Sequence, residues 1–70
     1  MLTKNDIKLG KKIKKLRNNK GWTQAELSEK VGVTEKHIQF IETANRKPSL
    51  KLATKLAKVL GVKMSELFDF

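Results

Sequence analysis

The stretch Gln24–Thr43, QAELSEKVGVTEKHIQFIET, decides how the chain folds. Thr23 lies just ahead of it and Glu26 three residues further on. That spacing is a capping box, in which each side chain bonds the other residue's backbone N–H and so opens a helix. Leu27 and Val31, four apart, share one face of that helix. Gly32 then ends it, because a residue without a Cβ enters the left-handed conformation without a clash. Gly32 and Val33 are all that separates this helix from Thr34, which caps a second one whose inward positions are Ile38 and Ile41. A link this short leaves no slack for an antiparallel return, so the two helices must cross steeply.

Working outward, helix is the only period that recurs. From Thr3 to Lys20, Leu9, Ile13 and Leu16 fall at i, i+4 and i+7 with Ile7 alongside, one stripe of an amphipathic helix. Thr3 and Asn5 are both candidate N-caps, and Gly21 is the stop. Trp22 is placed to staple back onto Leu27. After the central unit, Pro48 is incompatible with continued helix and Ser49 caps the next one. That helix carries Leu50, Ala53, Leu56, Ala57 and Leu60 inward until Gly61. A last short helix is expected over Met64 to Phe68. The chain therefore reads as one domain, residues 1–70, with five helices around one core and Trp22, Leu50 and Leu56 inside it.

Composition narrows the function. Sixteen Lys and Arg against seven Asp and Glu leave a formal charge of +9 on 70 residues. So large an excess repels itself and suits a polyanionic partner: nucleic acid, an anionic membrane face or an acidic protein surface. No cysteine is present and there is a single histidine, so neither disulfides nor a metal site is expected, and no cofactor is implied. No apolar run approaches the length of a membrane span, and an intracellular, cytoplasmic location is the default expectation. Catalysis has no support: no paired carboxylates and no nucleophile with a base.

The ordered pattern LGKKIKKLRNNKGWTQAELSEKVGVTEKHIQFIE, followed by KPSLKLATKLAKVLGVKMSELF, closely resembles the phage repressor and Cro-type helix-turn-helix family over about Leu9 to Phe68. Gln24 opens the unit, Leu27, Val31, Val33, Ile38 and Ile41 take its apolar places, Ser28 its small-residue place and Gly32 its turn. The resemblance implies an all-α, compact five-helix bundle, the lambda-repressor-like DNA-binding domain. It implies a non-enzymatic regulator of transcription, a repressor by preference, that binds double-stranded DNA. It also implies an ion pair between Arg17 and Glu42 joining the first helix to the end of the third. Two positions depart from the family. Ala44 stands where relatives commonly have glycine, which would move the left-handed cap to Asn45 or abolish it. Phe40 stands where a polar residue is usual.

A helix in the major groove reads bases with the exposed residues of its N-terminal half. Here these are Thr34, Glu35, Lys36, Gln39 and Phe40. Lys36 matches guanine O6 and N7, Gln39 adenine, Glu35 the N4 amine of cytosine, and Phe40 a thymine methyl. Each has a plainer alternative. Glu35 equally suits the helix dipole, Lys36 a phosphate, Gln39 open solvent, and Phe40 packing against Lys36. Phosphates fall to Gln24 at a helix N-terminus and to Asn45, Arg46 and Lys47 beyond the third helix. A homodimer on a palindromic operator would add a second half-site roughly 34–36 Å away. Met64, Phe68 and Phe70 are the expected seam, with Leu67 closing the core. A protein-interaction module of antitoxin or adaptor type is the alternative use of the same fold. Membrane binding is disfavoured because the first helix commits its apolar stripe to the core.

Overall fold

The computed structural model describes residues 3–69, and five helices follow one another: α1 (Lys4–Asn19), α2 (Gln24–Val31), α3 (Glu35–Glu42), α4 (Leu50–Leu60) and α5 (Met64–Leu67). Among the described residues there is no strand. Each start has a chemical cause. Thr3 and Thr23 make full capping boxes with Asp6 and Glu26, while the hydroxyls of Thr34 and Ser49 accept the N–H of His37 and of Leu52. Thr3 rather than Asn5 thus caps α1. Gly21, Gly32 and Gly61 all have φ near +75°, which closes α1, α2 and α4.

The core is hydrocarbon drawn from all five helices. Ile13, Leu27, Ile38, Ile41, Leu56 and Leu67 are its largest fully buried side chains, and Leu16, Trp22, Val33 and Met64 pack around them half-exposed. Leu50 is not among them. It is 76% exposed, and Leu52 is buried instead. The inward face of α4 is Leu52, Ala53, Leu56, Ala57 and Leu60. At 3.6 residues per turn its centre lies about a quarter turn from Leu50, which overhangs the core at the first position of the helix. Ile7 likewise lies at the margin of its stripe, 39% exposed.

The arrangement of α1 against α3 depends on Gly10, a buried glycine inside α1. A Cβ at that position would lie 2.6 Å from the carbonyl oxygens of both Ile41 and Glu42. Two helix backbones therefore meet here with no side chain between them. One and two turns further along α1, Ile13 and Arg17 extend the same buried face.

Candidate nucleic-acid interface

The central unit is held to the rest of the molecule by a buried polar junction. Arg17 of α1 donates to Glu42 at the end of α3 through Nε (2.7 Å to Oε2) and Nη2 (3.1 Å to Oε1). Its Nη1 reaches the carbonyl of Trp22 at 2.7 Å. Gln24, the first residue of α2, donates its side-chain amide to the same Glu42 Oε1 at 2.9 Å. With side chains only 9% and 2% exposed, Arg17 and Glu42 form a two-pronged pair that ties α1, α2 and α3 together. Among the described residues no buried side-chain polar atom lacks a partner. Gln24 thus has a role that the sequence did not disclose. One amide hydrogen is committed inward, while the second and the carbonyl oxygen remain. Ser28, buried where α2 is crowded, donates its hydroxyl back to the Ala25 carbonyl at 2.6 Å.

On this frame α3 turns Ile38 and Ile41 inward and leaves Thr34, Glu35, Lys36 and Gln39 exposed, with His37 and Phe40 half-buried between the two faces. The hydroxyl of Thr34 is occupied as the acceptor for the His37 N–H. The Phe40 ring lies beneath two cations: Lys36 Nζ is 6.0 Å from its centroid and the Arg46 guanidinium carbon 5.9 Å. Thr34, Lys36, His37, Phe40 and Arg46 together line a hollow of about 210 Å³.

The loop after α3 is shaped by Ala44. Its φ is +64°, so the left-handed residue neither moves to Asn45 nor disappears. The Ala44 N–H bonds the Ile41 carbonyl and the Asn45 N–H bonds the Phe40 carbonyl, the two bonds of a Schellman closure. Burial of the Ala44 methyl, 5% exposed, offsets the strain of its Cβ in this conformation. Asn45, Arg46 and Lys47 follow, all exposed. Asn45 turns its amide onto the Thr43 hydroxyl, and Lys47 Nζ is 3.5 Å from Asp6 while its side chain stays 71% exposed.

Two first-turn acids are shifted. Partial desolvation of Asp6 is outweighed by hydrogen bonds from Thr3 and by the Lys47 charge, which hold its carboxyl below the ordinary 3.8. Bonds from the Thr23 backbone and hydroxyl, opposed by slight desolvation and helped by Lys30, hold Glu26 below 4.5.

In α5, Leu67 is fully buried and Met64 packs half-exposed against the core. Phe68, 41% exposed, borders a hollow of about 430 Å³ with Asn5, Asp6, Leu9, Lys47 and Pro48. Phe70 lies outside the described residues. Among the described residues no helix is long and apolar enough to cross a membrane, and no group of three or more His, Asp or Glu is arranged to hold a metal ion.

Comparison with known proteins agrees with this geometry. The helix-turn-helix family model matches residues 13–67, and the chain belongs to the helix-turn-helix family of Cro/C1 type. It is 42% identical over 59 residues to an HTH-type transcriptional regulator of Archaeoglobus fulgidus, covering 84% of each chain. Among solved structures, it is similar to the restriction-modification controller protein C.AhdI from Aeromonas hydrophila, with TM-score 0.83 and 31% identity over 87% of this chain and 92% of that one. It is also similar to SinR, the master regulator for biofilm formation, in complex with DNA. There the TM-score is 0.81 and the identity 35% over 87% of this chain and 98% of that one.

Proposed function

We propose that the chain is a sequence-specific, double-stranded DNA-binding regulator of transcription, acting as a repressor in the cytoplasm and reading the major groove with α3. The observation that carries this is the division of α3: Ile38 and Ile41 bury one side, and the other presents Glu35, Lys36 and Gln39 beside a loop of exposed Asn45, Arg46 and Lys47. Hydrogen-bonding groups on the helix are free for base edges, while Asn45 and Lys47 beside it meet the backbone. Gln24 contributes its remaining N–H and the α2 N-terminus to a phosphate on the other side. A similar chain, SinR, has been crystallised with DNA.

Affinity from a single short helix is limited, so we further propose a homodimer on a palindromic operator, with the Phe68 edge of the molecule as its seam.

Two substitutions separate base reading from charge. Lys36→Ala should cost roughly 1–3 kcal/mol on the preferred duplex and relax preference at one base position. Equal loss on preferred and random duplex removes Lys36 from base reading. Lys47→Ala should weaken all duplexes alike and lower the salt slope by about 1. Sedimentation that finds a monomer both free and on a palindromic site would refute the dimer.

A further inference from the structure

We propose that Arg46, although it lies in the loop beyond α3, is a base-reading residue for guanine, held over the groove by Phe40 as its positioning residue. The inference rests on the DNA-reading proposal above.

Three observations converge on it. The Schellman closure at Ala44 reverses the chain, so that the backbone N–H groups of Asn45 and Arg46 both reach the Phe40 carbonyl, at 2.7 and 3.1 Å. Arg46 thereby stays hydrogen-bonded to the last turn of α3 rather than being carried away from it. Its guanidinium then lies 5.9 Å from the Phe40 ring centroid, within the range at which an aromatic face attracts a cation. Finally, it shares the 210 Å³ hollow with Thr34, Lys36 and His37, which belong to the reading end of α3. No acid lines that hollow. Among the described residues neither Lys36 nor Arg46 has a carboxylate within ion-pair distance.

Guanine suits this arrangement better than a phosphate does. Its major-groove edge offers two acceptors, N7 and O6, side by side, and the planar guanidinium fork matches them. A residue used only for phosphate gains little from being stacked, whereas a base reader must present its fork at a fixed angle. The aromatic ring supplies that constraint, and Lys36 Nζ lies 6.0 Å from the centroid of the same ring. Phe40 thus acts through the two cations rather than by touching a thymine methyl.

The test measures binding of the full chain to its preferred duplex, to every single-base variant of that duplex and to random duplex, at two salt concentrations. Arg46→Lys keeps the charge and removes the fork. It should leave binding to random duplex and the salt slope unchanged while abolishing the preference for guanine at one position, a loss of roughly 5- to 150-fold. Phe40→Leu, which retains an apolar side chain, should weaken preference at that same position, and Phe40→Tyr should restore it. Preference unchanged at every position in Arg46→Lys assigns Arg46 to the phosphates and overturns the proposal. So does a Phe40→Leu variant that is folded by circular dichroism and discriminates like the wild type. A wild-type chain with no sequence preference sinks the DNA-reading proposal and this one with it. Retained wild-type preference with an indifferent Arg46 sinks this one alone.

Discussion

Replacing Gly10 with alanine places two effects in opposition. In an exposed helix interior the change would stabilise by about 1 kcal/mol, because glycine is the poorer helix former. At Gly10 the added Cβ would be 2.6 Å from two backbone carbonyl oxygens, where ordinary contact begins near 3.4 Å, so α1 and the end of α3 must separate by about 0.8 Å. Forcing apart a packed contact costs about 1–3 kcal/mol. The displacement also acts on the polar junction, since Arg17 lies on the same face of α1 and Glu42 is one of the residues that would be pushed. The Arg17 Nε to Glu42 contact at 2.7 Å would stretch towards the limit of a useful hydrogen bond. Breaking such a buried pair outright costs about 3–5 kcal/mol, so partial loosening adds to the steric term. The net expectation is a destabilisation of about 2 kcal/mol or more, despite the gain in helix propensity. Urea unfolding followed by the fluorescence of Trp22, the chain's one tryptophan, measures it. Gly21→Ala is the control: it has nothing within 4 Å of its added Cβ and a φ of +75°, so it should lose only about 1–2 kcal/mol, from backbone strain. A Gly10→Ala chain as stable as the wild type, or more stable, would refute the close approach of α1 and α3.

Glu42→Gln keeps the shape of the junction but leaves the Arg17 charge buried without its counter-charge, and should cost about 3–5 kcal/mol in the same assay; a loss below 1 kcal/mol would mean the pair is solvated. Ala44→Gly relieves strain of about 1–2 kcal/mol but forfeits about 0.8 for a buried methyl and 0.4–1 through the unfolded chain. The stability should therefore change by less than about 1 kcal/mol, and a shift beyond 2 in either direction contradicts the Schellman assignment. Because the folded-state values of Asp6 and Glu26 lie below 3.8 and 4.5, their contribution is present above those values and is lost as pH falls through the lower folded ones. Stability should thus decline in acid below about pH 4.5, and an Asp6→Asn, Glu26→Gln double variant that keeps the full wild-type decline would exclude the two capping acids as a cause.

The fold was readable where local chemistry decides it. Thr23, Glu26, Gly32 and Thr34 act within a few residues of themselves, so their spacing alone announces the two helices and the turn. Arg17 with Glu42 was accessible only through the family resemblance, since 25 residues separate them. Three features were hidden because each depends on where a distant segment comes to lie. Leu50 satisfies the helical period yet overhangs the core, and periodicity does not tell where a packing partner ends. Gly10 looks like a helix weakness in a lysine-rich segment until the end of α3 is set against it. Gln24 reads only as a phosphate contact at a helix N-terminus, although its partner Glu42 lies eighteen residues on. The interface was legible as a list of exposed side chains but not as an arrangement. Phe40 and Ala44 stood out as departures, and only the three-dimensional structure shows that the closure at Ala44 brings Arg46 back over the Phe40 ring.

The central claim is that α3 reads DNA sequence rather than supplying charge. It is tested most directly by selecting bound duplexes from a random pool at two salt concentrations. Enrichment of one motif, sharper at the higher salt where backbone attraction is weakened, is the predicted result. Binding that enriches no motif and simply fades as salt rises would contradict it, leaving the charge of +9 as the whole of the interaction.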